Sequence, residues 1–230
     1  MQEQLNYLLK KYSVNTEATL IDKETATVGN EVVSLLPWRF ERRFDELKKL
    51  RTSSTVAGIS TLRIISIGRA SDDIYALLKR ELDVARWLLD DEPLEVFAIG
   101  QGTALNVSIK MKNGVICTIE LATTLEEKEE RISKHELIAK RGIACDMNVD
   151  TQVMQSSIYI FGKNNKKFTD VDAELFGLSI DEVASVRAAF ELARDNRLVD
   201  LHKSEAATLD KLVTLVKVSE AECRNLSLED

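Results

Sequence analysis

"ALNVSIKMKNGVICTIEL" runs from Ala104 to Leu121 and sets how the rest of the chain is read. Leu105, Val107, Ile109 and Met111 alternate with polar residues, Asn113-Gly114 supplies a turn, and Val115, Cys117, Ile119 and Leu121 alternate again. Period-two alternation on both sides of an Asn-Gly turn predicts a β-hairpin with one buried face. The second face carries Lys110, Ile116, Thr118 and Glu120, so it is only partly apolar.

Working outward, strands are expected at Ser60 to Gly68, Leu94 to Gly100, His135 to Ala139 and Ser157 to Phe161. Arg141-Gly142 would turn the chain after the third of these; a Gly162-Lys-Asn-Asn turn and a strand near Lys167 to Val171 would follow the last. The charged run "TTLEEKEERISK" between the hairpin and His135 reads as a loop or helical excursion. Ser179, with Glu182 three residues on, forms a capping box before an amphipathic helix through Asp195, and Ser204 is expected to cap another containing Leu209, Leu212, Leu215 and Val216.

Toward the N-terminus, Leu5, Leu8, Leu9 and Tyr12 share a helical face, Ser13 to Asn30 is polar and weakly patterned, and Glu31 to Leu36 is a short β-prone run ending at Pro37. A helix near Phe40 to Leu50 places Phe40, Phe44 and Leu47 on one side, with Asp45 and Lys49 as an i,i+4 pair on the other. The division this suggests is a short N-terminal α/β segment, 1–56, appended to a domain over 57–230. The fold class is α+β, with a large, mostly antiparallel open sheet and helices on one face.

With 44% hydrophobic and 30% charged residues, nine glycines and two prolines, this is a folded chain and not a disordered one. A net charge of −7 and the absence of dense Lys/Arg clusters exclude a general nucleic-acid binder, and Lys163 to Lys167 reads as a solvated turn. No apolar run approaches the roughly 18 residues of a membrane helix, and the start lacks a signal-peptide pattern, so the expected location is the cytosol. Three scattered cysteines and two histidines make neither a disulfide framework nor a metal site, and His135 and His202 read as surface or half-buried side chains.

One further stretch, "KRELDVARWLL" from Lys79 to Leu89, continues a helix. At 100° per residue from Ile74, the residues Leu77, Leu78, Leu82, Ala85, Leu88 and Leu89 form an apolar arc. Glu81 falls inside it as a carboxylate needing a partner. Ala76, Arg80, Asp83 and Trp87 line up within roughly 60° on the other side, where a ligand-facing group would sit. Arg80 can pair with Asp83 at i,i+3 or bind an anionic ligand.

This helix resembles the start of the C-terminal domain of the glucose-fructose oxidoreductase, inositol dehydrogenase and MocA (Gfo/Idh/MocA) family, which reads Asp-x-x-x-His-x-x-Asp-x-x-Arg-(Trp/Phe)-Leu-Leu-Gly. "PWRFERRFDELKKL" is similar to the family's link between domains, "GISTLRIIS" to its first large-domain strand, "NVSIKMKNGVICTIE" to its central hairpin and "HELIAKRGIACD" to its Glu-x-x-x-x-x-Gly strand; the match spans about Leu35 to Asn225. The resemblance implies an NAD(P)-dependent sugar or polyol oxidoreductase scaffold with a nucleotide-binding Rossmann domain ahead of it.

The departures shape the functional expectation. In this register the family's histidine falls on Arg80 and its first aspartate on Ala76. Gly100-Gln-Gly102 lacks the third glycine of a dinucleotide turn and leads into a strand. Neither Lys23 nor Lys128 precedes a proline, as the family's Glu-Lys-Pro lysine does. The expectation is a truncated, non-catalytic relative acting as a binding or oligomerisation module, with no catalytic residue, cofactor or metal. Arg80, Asp83 and Trp87 are its candidate contacts to a small-molecule ligand, and the resemblance implies a homodimer or larger homo-oligomer through the open sheet face. The alternative is a dehydrogenase subunit whose nucleotide-binding domain comes from another chain.

Overall fold

The computed structural model describes residues 1–53, 56–146, 157–161, 166–169 and 172–228. In chain order these form α1 (Gln2–Lys11), β1 (Ala18–Leu20), β2 (Thr25–Val28), β3 (Glu31–Ser34), α2 (Arg42–Thr52), β4 (Ile59–Arg69), α3 (Ile74–Leu89), β5 (Pro93–Gln101), β6 (Ala104–Met111), β7 (Ile116–Leu125), β8 (Ile132–Ala139), β9 (Gly142–Cys145), β10 (Ser157–Phe161), β11 (Lys166–Thr169), α4 (Asp172–Phe176), α5 (Ile180–Arg194), α6 (Arg197–Glu222) and β12 (Leu226–Ser227). The expected turn at Gly162 and the end of the expected strand at Val171 lie outside the described residues.

By contacts the chain separates into two units, Met1–Asp45 with Asp170–Thr208, and Glu46–Thr169 with Leu209–Asp230, and the divisions fall within α2 and α6. This differs from a boundary at residue 56, because α5 joins the N-terminal strands. In the first unit β1, β2 and β3 form an antiparallel sheet, and Leu5, Ala26, Val33 and Leu35 share a core with Val186, Ala189, Phe190 and Leu192. Strands β1 and β2 arise where the sequence looks unpatterned, since three or four residues are too few to show alternation. The Ser179–Glu182 capping box forms in both directions, the Glu182 N–H donating to Ser179 Oγ at 3.3 Å and the Ser179 N–H to Glu182 Oε2 at 2.9 Å.

The second unit is built on a mixed, mostly antiparallel sheet of order β11-β10-β9-β8-β4-β7-β6-β5-β12. The hairpin expected at 105–121 is β6–β7, in register from Ala104↔Ala122 to Lys110↔Ile116. Strand β4 is its hub, parallel to β7 and antiparallel to β8. Helix α3 lies on β4 and β7 over the face formed by Leu62, Ile64, Cys117, Ile119 and Leu121, all buried.

Two sequence expectations are corrected, one of them in part. "TTLEEKEERISK" is a loop over Glu126 to Arg131, as expected, but its first and last three residues extend the flanking alternation as the end of β7 and the start of β8. Ser204 caps nothing: α6 runs unbroken for 26 residues through it, with no Gly or Pro to stop the helix, and the Ser204 carbonyl accepts from Thr208 Oγ1. Lys49 also pairs with Glu46 at 2.8 Å, three residues back. No helix among the described residues is long and apolar enough to cross a membrane.

Candidate functional site around helix α3

Helix α3 begins at Asp73, whose side chain accepts from the Tyr75 N–H at 2.9 Å. It ends at Asp90 in the left-handed region, with φ of 51°. The family pattern places its glycine here, and aspartate is among the few other residues that tolerate this conformation.

The apolar arc is buried as expected, but the opposite side is not an open strip. Ala76 is exposed and Arg80 and Trp87 are half-buried, whereas Asp83 is fully enclosed. The candidate trio Arg80, Asp83 and Trp87 is thereby divided. Arg86 lies beside Asp83, with Nη1 3.8 Å from Oδ1, and also donates from Nε and Nη2 to Glu92 at 2.8 and 2.7 Å. Burying a carboxylate is costly, and the guanidinium of Arg86 offsets part of that cost. Arg80 turns to Glu81, Nη1 to Oε1 being 3.7 Å. Trp87 presents its ring to Lys48, whose Nζ lies 4.1 Å from the ring centroid.

Glu81 finds the partner its position demands. Its Oε2 lies 2.8 Å from His135 Nε2, and His135 Nδ1 lies 2.7 Å from Asp146 Oδ2, while the His135 backbone N–H donates to Asp146 Oδ1. Glu81 and His135 are 0% exposed and Asp146 is buried beside them. Burial alone would push the imidazolium toward losing its proton, but the charges of Asp146 and Glu81 outweigh it and raise the His135 pKa to about 9. With a carboxylate at each ring nitrogen, His135 donates both protons.

The surface or half-buried placement expected for the histidines is therefore corrected for both. His202 is also buried, its Nδ1 3.1 Å from the Ser34 carbonyl oxygen. The signal for His135 was its β8 phase: it shares the inward set with Leu137 and pairs opposite the buried Ile64. The same enclosure keeps this cluster from meeting a substrate. Cys117, nearby on β7, is no nucleophile, since burial and then the charge of Glu81 push its thiol pKa up.

Gly100-Gln-Gly102 ends β5 and opens the tight turn into β6, with Gly102 at φ of +61°. A Cβ on Gly100 would stand 2.1 Å from a Glu220 carboxylate oxygen. A turn that opens no helix and faces a carboxylate does not fit the pyrophosphate of a dinucleotide. Lys128 pairs with Glu126 at 3.0 Å, and the Lys23 carbonyl accepts from Ser185 Oγ.

No family model and no curated protein matches the chain. Solved structures do. A probable dehydrogenase from Thermotoga maritima is 18% identical with a TM-score of 0.62, over 84% of this chain and 63% of that one. A myo-inositol dehydrogenase from Corynebacterium glutamicum is 15% identical with a TM-score of 0.65, over 84% and 63%. A scyllo-inositol dehydrogenase from Lactobacillus casei, solved with NAD(H) and scyllo-inositol, is 13% identical with a TM-score of 0.62, over 85% and 64%. This chain thus spans less than two thirds of the length of these proteins. Its fold is the α+β fold of the inositol and sugar dehydrogenases of the Gfo/Idh/MocA family.

Proposed function

We propose that this chain is a non-catalytic binding or assembly module built on a dehydrogenase scaffold. The observation that carries this reading is the charge arrangement of α3. The position that the resemblance gives to a histidine holds Arg80, and both carboxylates that follow, Glu81 and Asp83, are enclosed beside cations. A guanidinium stays protonated at physiological pH and cannot take a proton from a substrate hydroxyl. Loss of a positioned acid–base group typically lowers rate by about 10²- to 10⁴-fold. Arg80 and Trp87 are both half-buried on this helix, and a guanidinium with an indole ring suits a small anionic or hydroxylated ligand. Asp83 supports them from within the core and does not meet the ligand. The scattered cysteines fit a cytosolic setting.

The test is restoration. The Arg80→His, Ala76→Asp double variant, assayed with NAD and myo- or scyllo-inositol, is expected to form no NADH. Turnover in that variant overturns the proposal.

Assembly would use the outward sheet face. Ile99, Ile116 and Ile132 are exposed there, and the charges between them are already paired: Lys110 with Glu95 at 3.0 Å, Arg63 with Glu120 at 3.1 Å and Lys134 with Glu136 at 2.6 Å. Isoleucines set among self-neutralised charges suit a self-complementary contact. Light scattering at micromolar concentration is expected to show a dimer or larger assembly that Ile116→Lys shifts toward monomer. A monomeric wild type contradicts this part of the reading.

The second reading, a dehydrogenase subunit completed by another chain, draws on the fold shared with the structure containing NAD(H) and scyllo-inositol. A neighbouring gene encoding a lone nucleotide-binding domain, whose product restores NAD-dependent turnover on mixing, would favour it.

A further inference from the structure

Arg80, Glu81, His135 and Asp146 alternate in sign along a line leading from a half-buried guanidinium into the core, with successive separations of 3.7, 2.8 and 2.7 Å. Helix α3 supplies the first two, β8 the third, and the residue just after β9 the fourth. Three separate elements therefore meet at one imidazole.

Among the described residues, each element packed around the imidazole contributes groups whose charge is already matched or absent. From β4, Ile64 pairs opposite His135 and carries no charge, while Arg63 lies on the other sheet face with Glu120 of β7. On β8 itself Lys134 and Glu136 share that other face and bond to each other. From β7, Cys117 is the titratable group near Glu81, and its thiol stays protonated. From α3, Arg80 balances Glu81, and Asp83 has Arg86 beside it.

We propose that this enclosed imidazolium is a pH-sensitive pin, which ties α3 to β8 and to Asp146 while protonated and loosens them when it loses its proton. A neutral imidazole has one N–H and one lone pair. It can serve one carboxylate, and the other is left facing a lone pair in a region too enclosed for water to screen it. The helix whose position is loosened is the one that presents Arg80 and Trp87, so the exposed face of the module becomes sensitive to pH. The pin does not depend on what that face binds.

The sign follows from linkage. In the unfolded chain the histidine titrates near its ordinary 6.5, and in the fold it holds its proton to about 9. Its stabilisation is complete below about 6.5 and is lost as pH rises through about 9. The unfolding equilibrium constant of the wild type is therefore expected to rise on the order of 100-fold between pH 6.5 and 9.5 from this group. In His135→Gln that rise should be largely absent.

Two measurements on the full chain decide it. Nitrogen-15 NMR of histidine-labelled wild type should show both His135 ring nitrogens protonated at pH 7.5, titrating with a midpoint near 9. Chemical denaturation across the same pH range should show the wild-type slope and its flattening in the variant. A neutral His135 ring at pH 7.5, or a wild type as flat as His135→Gln, overturns the pin. If His135→Gln does not fold, the wild-type ring titration decides alone, a midpoint at or below 6.5 being the contrary result.

Discussion

Replacing His135 with leucine is expected to destabilise the sheet unit by about 3–5 kcal/mol, the usual cost of removing one partner from a buried ionic cluster. Leucine fills much of the ring's volume, so little of the loss comes from a cavity. The loss comes from Glu81 and Asp146, two buried carboxylates that lose the imidazolium between them. The same reasoning predicts a non-additive result. Glu81→Met and Asp146→Asn added to His135→Leu should recover part of the loss, because an apolar replacement of a whole buried ionic cluster is often neutral or stabilising. Urea denaturation midpoints of the single and triple variants check both statements. A single variant within about 1 kcal/mol of wild type would mean that the cluster contributes little.

Arg86→Leu is the second large effect, at about 3 kcal/mol, and it separates two ion pairs that share one guanidinium. Asp83 is fully enclosed next to Arg86, while the Glu92 side chain is half exposed. Loss of the arginine leaves Asp83 in the core without that cation; loss of the Glu92 charge leaves a carboxylate that water was already solvating. Glu92→Gln should therefore cost about 1 kcal/mol or less despite its shorter contacts. Equal losses for the two variants, measured by thermal or chemical denaturation, would contradict this ranking by burial.

The sheet was legible in the sequence because β4 to β8 are long enough to show period two, and Asn113-Gly114 marked the turn of its central hairpin. The capping box at Ser179 was legible because both of its bonds are local. Ser204 misled for the same reason: a good capping residue is visible locally, but whether the chain needs a cap there is decided by what lies on both sides. Strands β1 and β2 are too short to announce themselves. At the site, helical arithmetic placed Glu81 in the core and so implied a partner. It could not name His135, 54 residues away, because the packing of α3 on the sheet, and not sequence distance, brings them together. The same arithmetic put Asp83 beside Arg80 on an open face, and failed because α3 is buried on more than one side. The apolar arc of a helix marks its dominant buried face and leaves open how many other faces are covered.

Central to the proposed function is that the dehydrogenase scaffold is used here without hydride chemistry. Calorimetric titration of the purified wild-type chain with NAD and NADH, with and without scyllo-inositol, tests this most directly. No heat of binding up to millimolar cofactor is the predicted result. Saturable binding in the micromolar range would contradict it.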